Sequence, residues 1–143
     1  MATEAKVTWV GPGLRLVGEA SSGPAVVIDH ALPGEERRET GPRPMELLLI
    51  GLAGCTAMDV VSILRRMRQP VDGLEVRASA ERAPDHPKVY TRIHLEYVIR
   101  GKGIKGSAVE RAIHLSETTY CSASAMLGKT AEITTSYRIV EEE

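Results

Sequence analysis

The feature that most constrains the fold is the segment from Pro44 to Met67, which is apolar or small at nearly every position from Leu47 to Met58. Pro44 suits a first helical turn, Glu46 complements the positive helix N-terminus, and arginines gather at the other end. The segment therefore predicts one helix of ~24 residues, about 36 Å long at 1.5 Å per residue. Because apolar residues occupy nearly every face, the pattern indicates a buried helix.

The length of the chain limits how such a helix can be covered. With 143 residues, the chain predicts a single domain spanning residues 1–143. Small residues such as Gly51 and Gly54 allow another helix to approach closely, so we expect a second subunit to cover part of this one. Asp59 interrupts the apolar run before the ~20 residues that a membrane span needs, so we expect no membrane partner.

The other segments predict strands and two further helices. Predicted strands cover residues 6–10, 14–17, 24–29, 74–81, 89–100 and 133–140, and predicted helices cover residues 44–67, 108–119 and 122–127. Residues 74–81 and 89–100 alternate with a period of two, which predicts a hairpin with one buried face that carries Ile93, Leu95, Tyr97 and Ile99. A capping box of Ser107 and Glu110 is expected to begin the second helix. The charged run at 33–43 is typical of a solvated loop. Strands and helices grouped in the order βββ-α-ββ-α-β predict an α+β fold.

Composition excludes several classes of function. The 18 Lys and Arg residues balance 19 Asp and Glu residues without a basic block, which argues against a nucleic-acid partner. The first ten residues lack a basic region followed by an apolar stretch, so we expect a cytoplasmic protein. The four histidines lie in different predicted elements, and no phosphate-binding loop or nucleophile elbow is present. We therefore expect neither a cofactor nor a metal.

The two cysteines are the candidate reactive groups. Cys55 lies midway along the long helix, and Cys121 lies at the predicted start of the short helix. Either both are small buried hydrophobic residues or they cycle between thiols and a disulfide. Helix N-terminal amides favour a thiolate at Cys121, whereas Cys55 would need a nearby cation. A disulfide requires Cα atoms within ~7 Å, which the sequence leaves open.

Two motifs resemble those of a known family. The stretch from Gly41 to Asp59, GPRPMELLLIGLAGCTAMD, resembles the central helix of the OsmC/Ohr family of osmotically inducible and organic-hydroperoxide-resistance proteins. The segment from Tyr120 to Lys129, YCSASAMLGK, resembles the second cysteine motif of that family. The order of elements also matches. The resemblance is closest to a divergent OsmC-like branch that carries Gly-Pro-x-Pro before the helix.

The resemblance implies both a fold and an activity. It implies an intertwined homodimer with six-stranded, antiparallel-type sheets, two main helices and active sites at the subunit interface. It also implies that Cys55 is the peroxidatic thiolate and Cys121 the resolving thiol in the reduction of organic hydroperoxides to alcohols. A dithiol or lipoyl-type reductant would restore both thiols. Apolar residues expected around Cys55, namely Leu48, Leu52 and Met58, favour organic peroxides over hydrogen peroxide.

The chain departs from the family at the groups that activate the first cysteine. In the family an Arg–Glu pair does so, with the Glu ten residues before the cysteine. Here Met45 occupies that position and the carboxylate is Glu46, rotated by ~100° on a helix. Arg15 is the nearest candidate for the arginine in an N-terminal strand or loop. Three others lie nearer to the helix in sequence: Arg37, Arg38 and Arg43.

Because Glu46 lies one residue away from the position of the family's activating Glu, two other functions are also consistent with the sequence. One alternative is a non-enzymatic or redox-sensing protein that binds an apolar small ligand at the dimer interface. Another is acyl transfer through Cys55, which ranks lowest because no histidine is placed to act as a base. Asp59, one helical turn after Cys55, is expected on the side of the thiol or in a salt bridge. A carboxylate beside a thiol without a cation raises the pKa of the thiol.

Overall fold

The computed structural model describes residues 2–141 of the chain. The chain divides into two compact units, one ending at Leu48 and the other beginning at Leu49. Each unit contains one three-stranded sheet. The boundary between the units falls inside the long helix α1 (Pro44–Arg66).

The first unit is built on an antiparallel meander of β1 (Ala5–Trp9), β2 (Leu16–Ala20) and β3 (Ala25–Ile28). The three strands predicted here are confirmed, with one shift. Strand β2 begins two residues later than predicted and continues to Ala20. The backbone carbonyl of Arg15 accepts from the N–H groups of Val10 and Gly11, which places it in the preceding turn.

The charged loop after β3 is organised around a buried carboxylate. Asp29 is fully buried and accepts two hydrogen bonds from the guanidinium of Arg37, at 2.8 and 2.9 Å. Thr40 donates to the same carboxylate through both its backbone N–H and its hydroxyl. The Arg37 guanidinium, with the Thr40 N–H next, holds the pKa of Asp29 far below its usual range. The expectation of a merely solvated loop is therefore wrong for this part of the segment.

Helix α1 matches the predicted helix to within one residue. The backbone N–H of Arg43 donates to the Glu46 carboxylate at 2.8 Å, which satisfies one free donor at the helix start. Its buried residues form one stripe at helical spacing: Leu52, Thr56, Val60, Ile63 and Leu64. Met58 is 78% exposed and Ile50 is 55% exposed. A single chain therefore leaves part of the helix exposed, and its coverage by a second subunit stays a prediction.

The composition of α1 also bears on membranes. The helix is long and apolar enough to cross a bilayer by length and composition, so the expectation that Asp59 shortens the run too much is wrong by that test. The core helix of a soluble protein passes the same test, so one such helix is weak evidence for a membrane span.

The second unit contains a sheet of β4 (Gly73–Arg82), β5 (Tyr90–Arg100) and β6 (Glu132–Val140), with β5 in the middle. The predicted hairpin is confirmed, and its predicted apolar face is buried: Ile93, Leu95, Tyr97 and Ile99. Strand β6 pairs with β5 in parallel rather than antiparallel, because the helical connection between them returns the chain to the same end of the sheet. Six-stranded sheets do not form within residues 2–141 of one chain.

That connection contains α2 (Gly106–Leu115), a π-helical turn (Ser116–Tyr120) and α3 (Ser122–Leu127). The predicted capping box is wrong, because Lys105 is the N-cap and makes no side-chain cap hydrogen bond. Ser107 lies inside α2, and the Glu110 carboxylate accepts from the Tyr137 hydroxyl at 2.9 Å. Helix α2 is also shorter than predicted, since the wider π turn replaces its last residues. Helix α3 is confirmed.

Candidate functional site

The structure brings the two cysteines together. Cys55 lies in the middle of α1, and Cys121 is the N-cap of α3. Their Sγ atoms and a carboxylate oxygen of Asp59 all lie within 4.8 Å of one another. Asp59 is there because residues four apart share one face of a helix. Both cysteines are free thiols, so the arrangement is that of a reduced pair.

The two thiols differ in their access to solvent. Cys121 is only 3% exposed, whereas Cys55 is half-buried. Burial raises the pKa of the Cys121 thiol, and the Ser124 hydrogen bonds that favour the thiolate do not offset it. The backbone N–H of Ser124 at the start of α3 favours the thiolate, as predicted, but the burial of Cys121 outweighs it and the net direction is the opposite of the prediction. Cys55 is the thiol that a molecule from solvent can reach.

Three buried hydroxyls lead to Asp59. The Tyr97 hydroxyl lies 2.7 Å from Thr56 Oγ1, which lies 2.8 Å from Ser116 Oγ. Ser116 Oγ donates to Asp59 Oδ2 at 2.9 Å. A hydroxyl has one hydrogen, so Ser116 must accept from Thr56, and Thr56 must in turn accept from Tyr97. We call Tyr97, Thr56 and Ser116 the hydroxyl chain; all of its hydrogens point towards Asp59.

Burial keeps the hydroxyl chain protonated and fixed. All three of its residues are fully buried, and burial raises the pKa of Tyr97 to about 12. Tyr97 therefore remains a donor at neutral pH. The hydroxyl chain holds one carboxylate oxygen of Asp59, Oδ2, in place. The sequence does not point to Thr56 or Ser116, although a tyrosine predicted on a buried strand face is a signal, because a buried tyrosine hydroxyl needs a partner.

The π turn positions two of the residues around the site. The backbone N–H of Cys121 donates to the Ser116 carbonyl, five residues earlier, at 2.8 Å. The Ser116 hydroxyl donates to Asp59, and the Cys121 sulfur lies within 4.8 Å of the Cys55 sulfur. Single π turns are uncommon and occur frequently at functional sites. The turn thus ties the end of the hydroxyl chain to the buried thiol.

The residues predicted to activate Cys55 have other partners in the first unit. Arg15 Nε lies 3.5 Å from Asp29 Oδ2, and the Glu46 carboxylate accepts from a backbone N–H at the start of α1. The other candidate arginines divide between ion pairs and solvent: Arg37 pairs with Asp29 and Glu35, Arg43 pairs with Glu39, and Arg38 is exposed. That Arg15 and Glu46 serve the thiol stays a prediction.

Comparison with known proteins identifies a family for this chain. The family model described as OsmC-like protein matches residues 34–136. The chain is 40% identical to Protein YhfA of Escherichia coli K12 over 137 residues, which are 96% of this chain and 98% of that protein.

Two solved structures have a fold similar to that of this chain. A hypothetical protein from Aquifex aeolicus has a TM-score of 0.85 and 29% identity, covering 100% of this chain and 99% of its own. An organic hydroperoxide resistance protein OsmC from Legionella pneumophila has a TM-score of 0.68 and 17% identity, covering 96% of each chain; at that identity the likeness shows the fold alone. The predicted α+β fold is confirmed, and the chain belongs to the OsmC-like protein family.

Proposed function

We propose that this OsmC-like protein is a thiol-dependent peroxidase that reduces organic hydroperoxides to alcohols without a bound organic cofactor. The observation that carries the proposal is the position of the Cys55 and Cys121 sulfur atoms, within 4.8 Å of each other as free thiols. A disulfide bond is about 2.05 Å long, so the two sulfurs must move closer together to form it. The name of the Legionella pneumophila relative, an organic hydroperoxide resistance protein, supports the same chemistry.

Cys55 makes the first attack. It is half-buried and reachable from solvent, whereas Cys121 is 3% exposed and burial raises its pKa. The Cys55 thiolate attacks the distal peroxide oxygen, the O–O bond breaks, and the alkoxide takes a proton to leave as an alcohol. Cys55 becomes a sulfenic acid. Asp59 has one oxygen held by Ser116, and we assign its other oxygen to accept the thiol proton and return it to the alkoxide.

Cys121 completes the cycle. Its thiolate attacks the sulfenic sulfur, the S–O bond breaks, hydroxide leaves and takes a proton to become water, and the Cys55–Cys121 disulfide forms. The burial of Cys121 shields it from the peroxide until Cys55 has reacted. A dithiol or lipoyl-type reductant then restores both thiols by exchange and is itself oxidised to a disulfide.

The surface of α1 supports a homodimer and an apolar substrate. Met58 and Ile50 are large apolar side chains that a single chain leaves mostly exposed. We propose that a second copy covers them, and that residues 1–143 act as one OsmC-like domain of a cytoplasmic homodimer. The apolar side chains along this helix favour organic peroxides over hydrogen peroxide.

Peptide mapping after a slight excess of cumene hydroperoxide tests the proposal. We expect a Cys55–Cys121 disulfide and loss of both thiols, while Cys55→Ser abolishes turnover. Asp85→Asn, an exposed substitution on the turn between β4 and β5, is the matched control. If an intact, folded protein forms no such disulfide, the proposed cycle is wrong.

A ligand-binding function without catalysis is the second candidate. An open groove of about 810 Å³ lies beside α1 and is lined by apolar and polar residues: Ala57, Met58, Val61, Ser62, Arg65, Arg66 and Leu74. Its volume suits a small apolar ligand. Unchanged thiol counts after peroxide treatment, together with a higher melting temperature in the presence of an apolar ligand, would favour this function over the peroxidase.

A further inference from the structure

We propose that Cys55, Asp59 and Cys121 together form a Zn²⁺ site, so that the reactive thiols are also metal ligands. Each residue offers one ligand atom, and the three atoms lie within 4.8 Å of one another. Thiolate sulfur and carboxylate oxygen are both ordinary Zn²⁺ ligands, at about 2.3 Å and about 2.0–2.2 Å. A tetrahedral ion at those distances holds two sulfurs about 3.8 Å apart, so a contraction of about 1 Å closes the site.

Charge at the cluster favours a cation. With both thiols ionised, the three ligands carry three negative charges at close range. None of the ion pairs formed by residues 2–141 involves Asp59. Like charges at such distances repel one another strongly. A divalent cation bound between them attracts all three ligands and offsets that repulsion.

Hydrogen bonds around the cluster orient the ligands. The Ser116 hydroxyl holds Asp59 Oδ2, and within the described residues Oδ1 accepts no hydrogen bond, which leaves it for an ion. The backbone N–H of Ser124 donates to Cys121 Sγ at 3.3 Å, which suits a sulfur that carries negative charge. Such supporting hydrogen bonds fix the ligands of natural metal sites and raise their affinity.

The burial of the three residues leaves one side of the site open. Cys121 is buried, whereas Cys55 and Asp59 are half-buried, so water can supply a fourth ligand. Three protein ligands with an open fourth position distinguish this site from closed, four-ligand structural zinc sites. Zn²⁺ held here occupies both thiolates and therefore blocks the attack on peroxide.

This regulatory role rests on the proposed peroxidase cycle. Zn²⁺ inhibits the reduced enzyme while it is bound. After Zn²⁺ dissociates, peroxide forms the disulfide, which no longer offers thiolates to the metal. In the metal-free enzyme, two thiolates, one hydroperoxide and two protons give one disulfide, one alcohol and one water. The two electrons that leave the sulfurs reduce the O–O bond, so no further oxidant is needed.

Metal titration of the reduced, chelator-treated full-length protein tests the site. We expect one Zn²⁺ per chain in competition with a chromogenic chelator. Co²⁺ should give thiolate charge-transfer bands and the strong visible bands of a tetrahedral ion. Asp59→Asn should weaken binding at least ten-fold, and Cys55→Ser and Cys121→Ser should abolish it at the same concentrations. Asp85→Asn, far from the cluster in sequence and exposed, should leave binding unchanged.

The results separate this inference from the proposed function. No stoichiometric binding, or a Co²⁺ spectrum without thiolate bands, overturns the site; this readout uses the unaltered protein and does not depend on how the variants fold. If Asp59→Asn binds Zn²⁺ with unchanged affinity, the Asp59 carboxylate is not a ligand and the proposed three-residue site is wrong. If metal-free protein forms the disulfide but binds no Zn²⁺, only the site is wrong. If Zn²⁺ binds but the metal-free protein forms no disulfide with peroxide, the peroxidase is wrong and the site has no such regulatory role; if bound Zn²⁺ does not slow disulfide formation, the inhibition alone is wrong.

Discussion

Replacing Thr56 by valine removes the centre of the hydroxyl chain while keeping the shape of the side chain. Thr56 is fully buried, accepts from the Tyr97 hydroxyl at 2.7 Å and donates to Ser116 at 2.8 Å. In Thr56→Val the Ser116 hydroxyl keeps its bond to Asp59. The Tyr97 hydroxyl, in contrast, loses its partner in a place that water does not reach.

The expected loss of stability follows from that stranded hydroxyl. A buried polar group left without a partner costs about 1–3 kcal/mol. We therefore expect Thr56→Val to lower the free energy of unfolding by about 2 kcal/mol, near the middle of that range. In a domain of this size, each kcal/mol lost from the free energy of unfolding lowers the melting temperature by about 2–4 °C. The melting temperature should therefore fall by about 4–8 °C.

Urea unfolding at a fixed protein concentration measures the effect, and a double-mutant cycle isolates its cause. Tyr97→Phe removes the hydroxyl that Thr56→Val strands. The double variant should therefore be more stable than the sum of the two single losses predicts, by at least about 0.5 kcal/mol. Thr91→Val, at an exposed position of β5, is the matched control and should change stability by less than about 0.5 kcal/mol. A loss below about 0.5 kcal/mol for Thr56→Val, or strict additivity in the cycle, would refute the hydroxyl chain.

Three further predictions concern other parts of the molecule. Cys121→Ser should leave Cys55 as a sulfenic acid that excess peroxide oxidises further, which intact-protein mass spectrometry would detect; an unmodified Cys55 would contradict the order of attack. Because Arg37 lowers the pKa of Asp29, that carboxylate stabilises the fold fully above its unfolded pKa of about 4, and its contribution is lost as the pH falls below that value. The melting temperature of Asp29→Asn should thus lie below that of the unaltered protein at pH 7, and the gap should begin to narrow as the pH falls below about 4; a gap that stays constant down to pH 3 would contradict this. Met58→Asp places a charge on the exposed apolar surface of α1 and should shift the sedimenting species from dimer to monomer, whereas an unchanged dimer would place the interface elsewhere.

The features predictable from sequence are those that local geometry dictates. Helix α1 was predicted to one residue because Pro44, Glu46 and the terminal arginines mark its ends within the segment itself. The placement of Asp59 beside Cys55 follows from the spacing of four residues on a helix. The alternating faces of β4 and β5 were predicted for the same reason, since burial of one face leaves a period of two.

The features that escaped prediction depend on tertiary contacts or on exceptions to local rules. The closeness of Cys55 and Cys121 depends on where two distant segments pack, which no spacing reveals. For the same reason, ligand spacing gave no sign of a metal site whose ligands come from α1 and from the start of α3. The π turn has no sequence period of its own, so α2 was predicted too long. The charged loop looked solvated because its sequence does not show that Arg37 folds back onto a buried Asp29.

The hydroxyl chain and the thiol pair are attached to the same backbone. Thr56 directly follows Cys55 on α1, and Ser116 is bonded through its carbonyl to the N–H of Cys121. The hydrogen bond between Thr56 and Ser116 therefore joins the two segments that carry the thiols, and Tyr97 secures that junction to the central strand β5. Disulfide formation needs the sulfurs to meet in one geometry, so the rate of closure depends on how firmly these segments are held. The hydroxyl chain thus stabilises the contact between the two segments whose cysteines must meet in the proposed reaction.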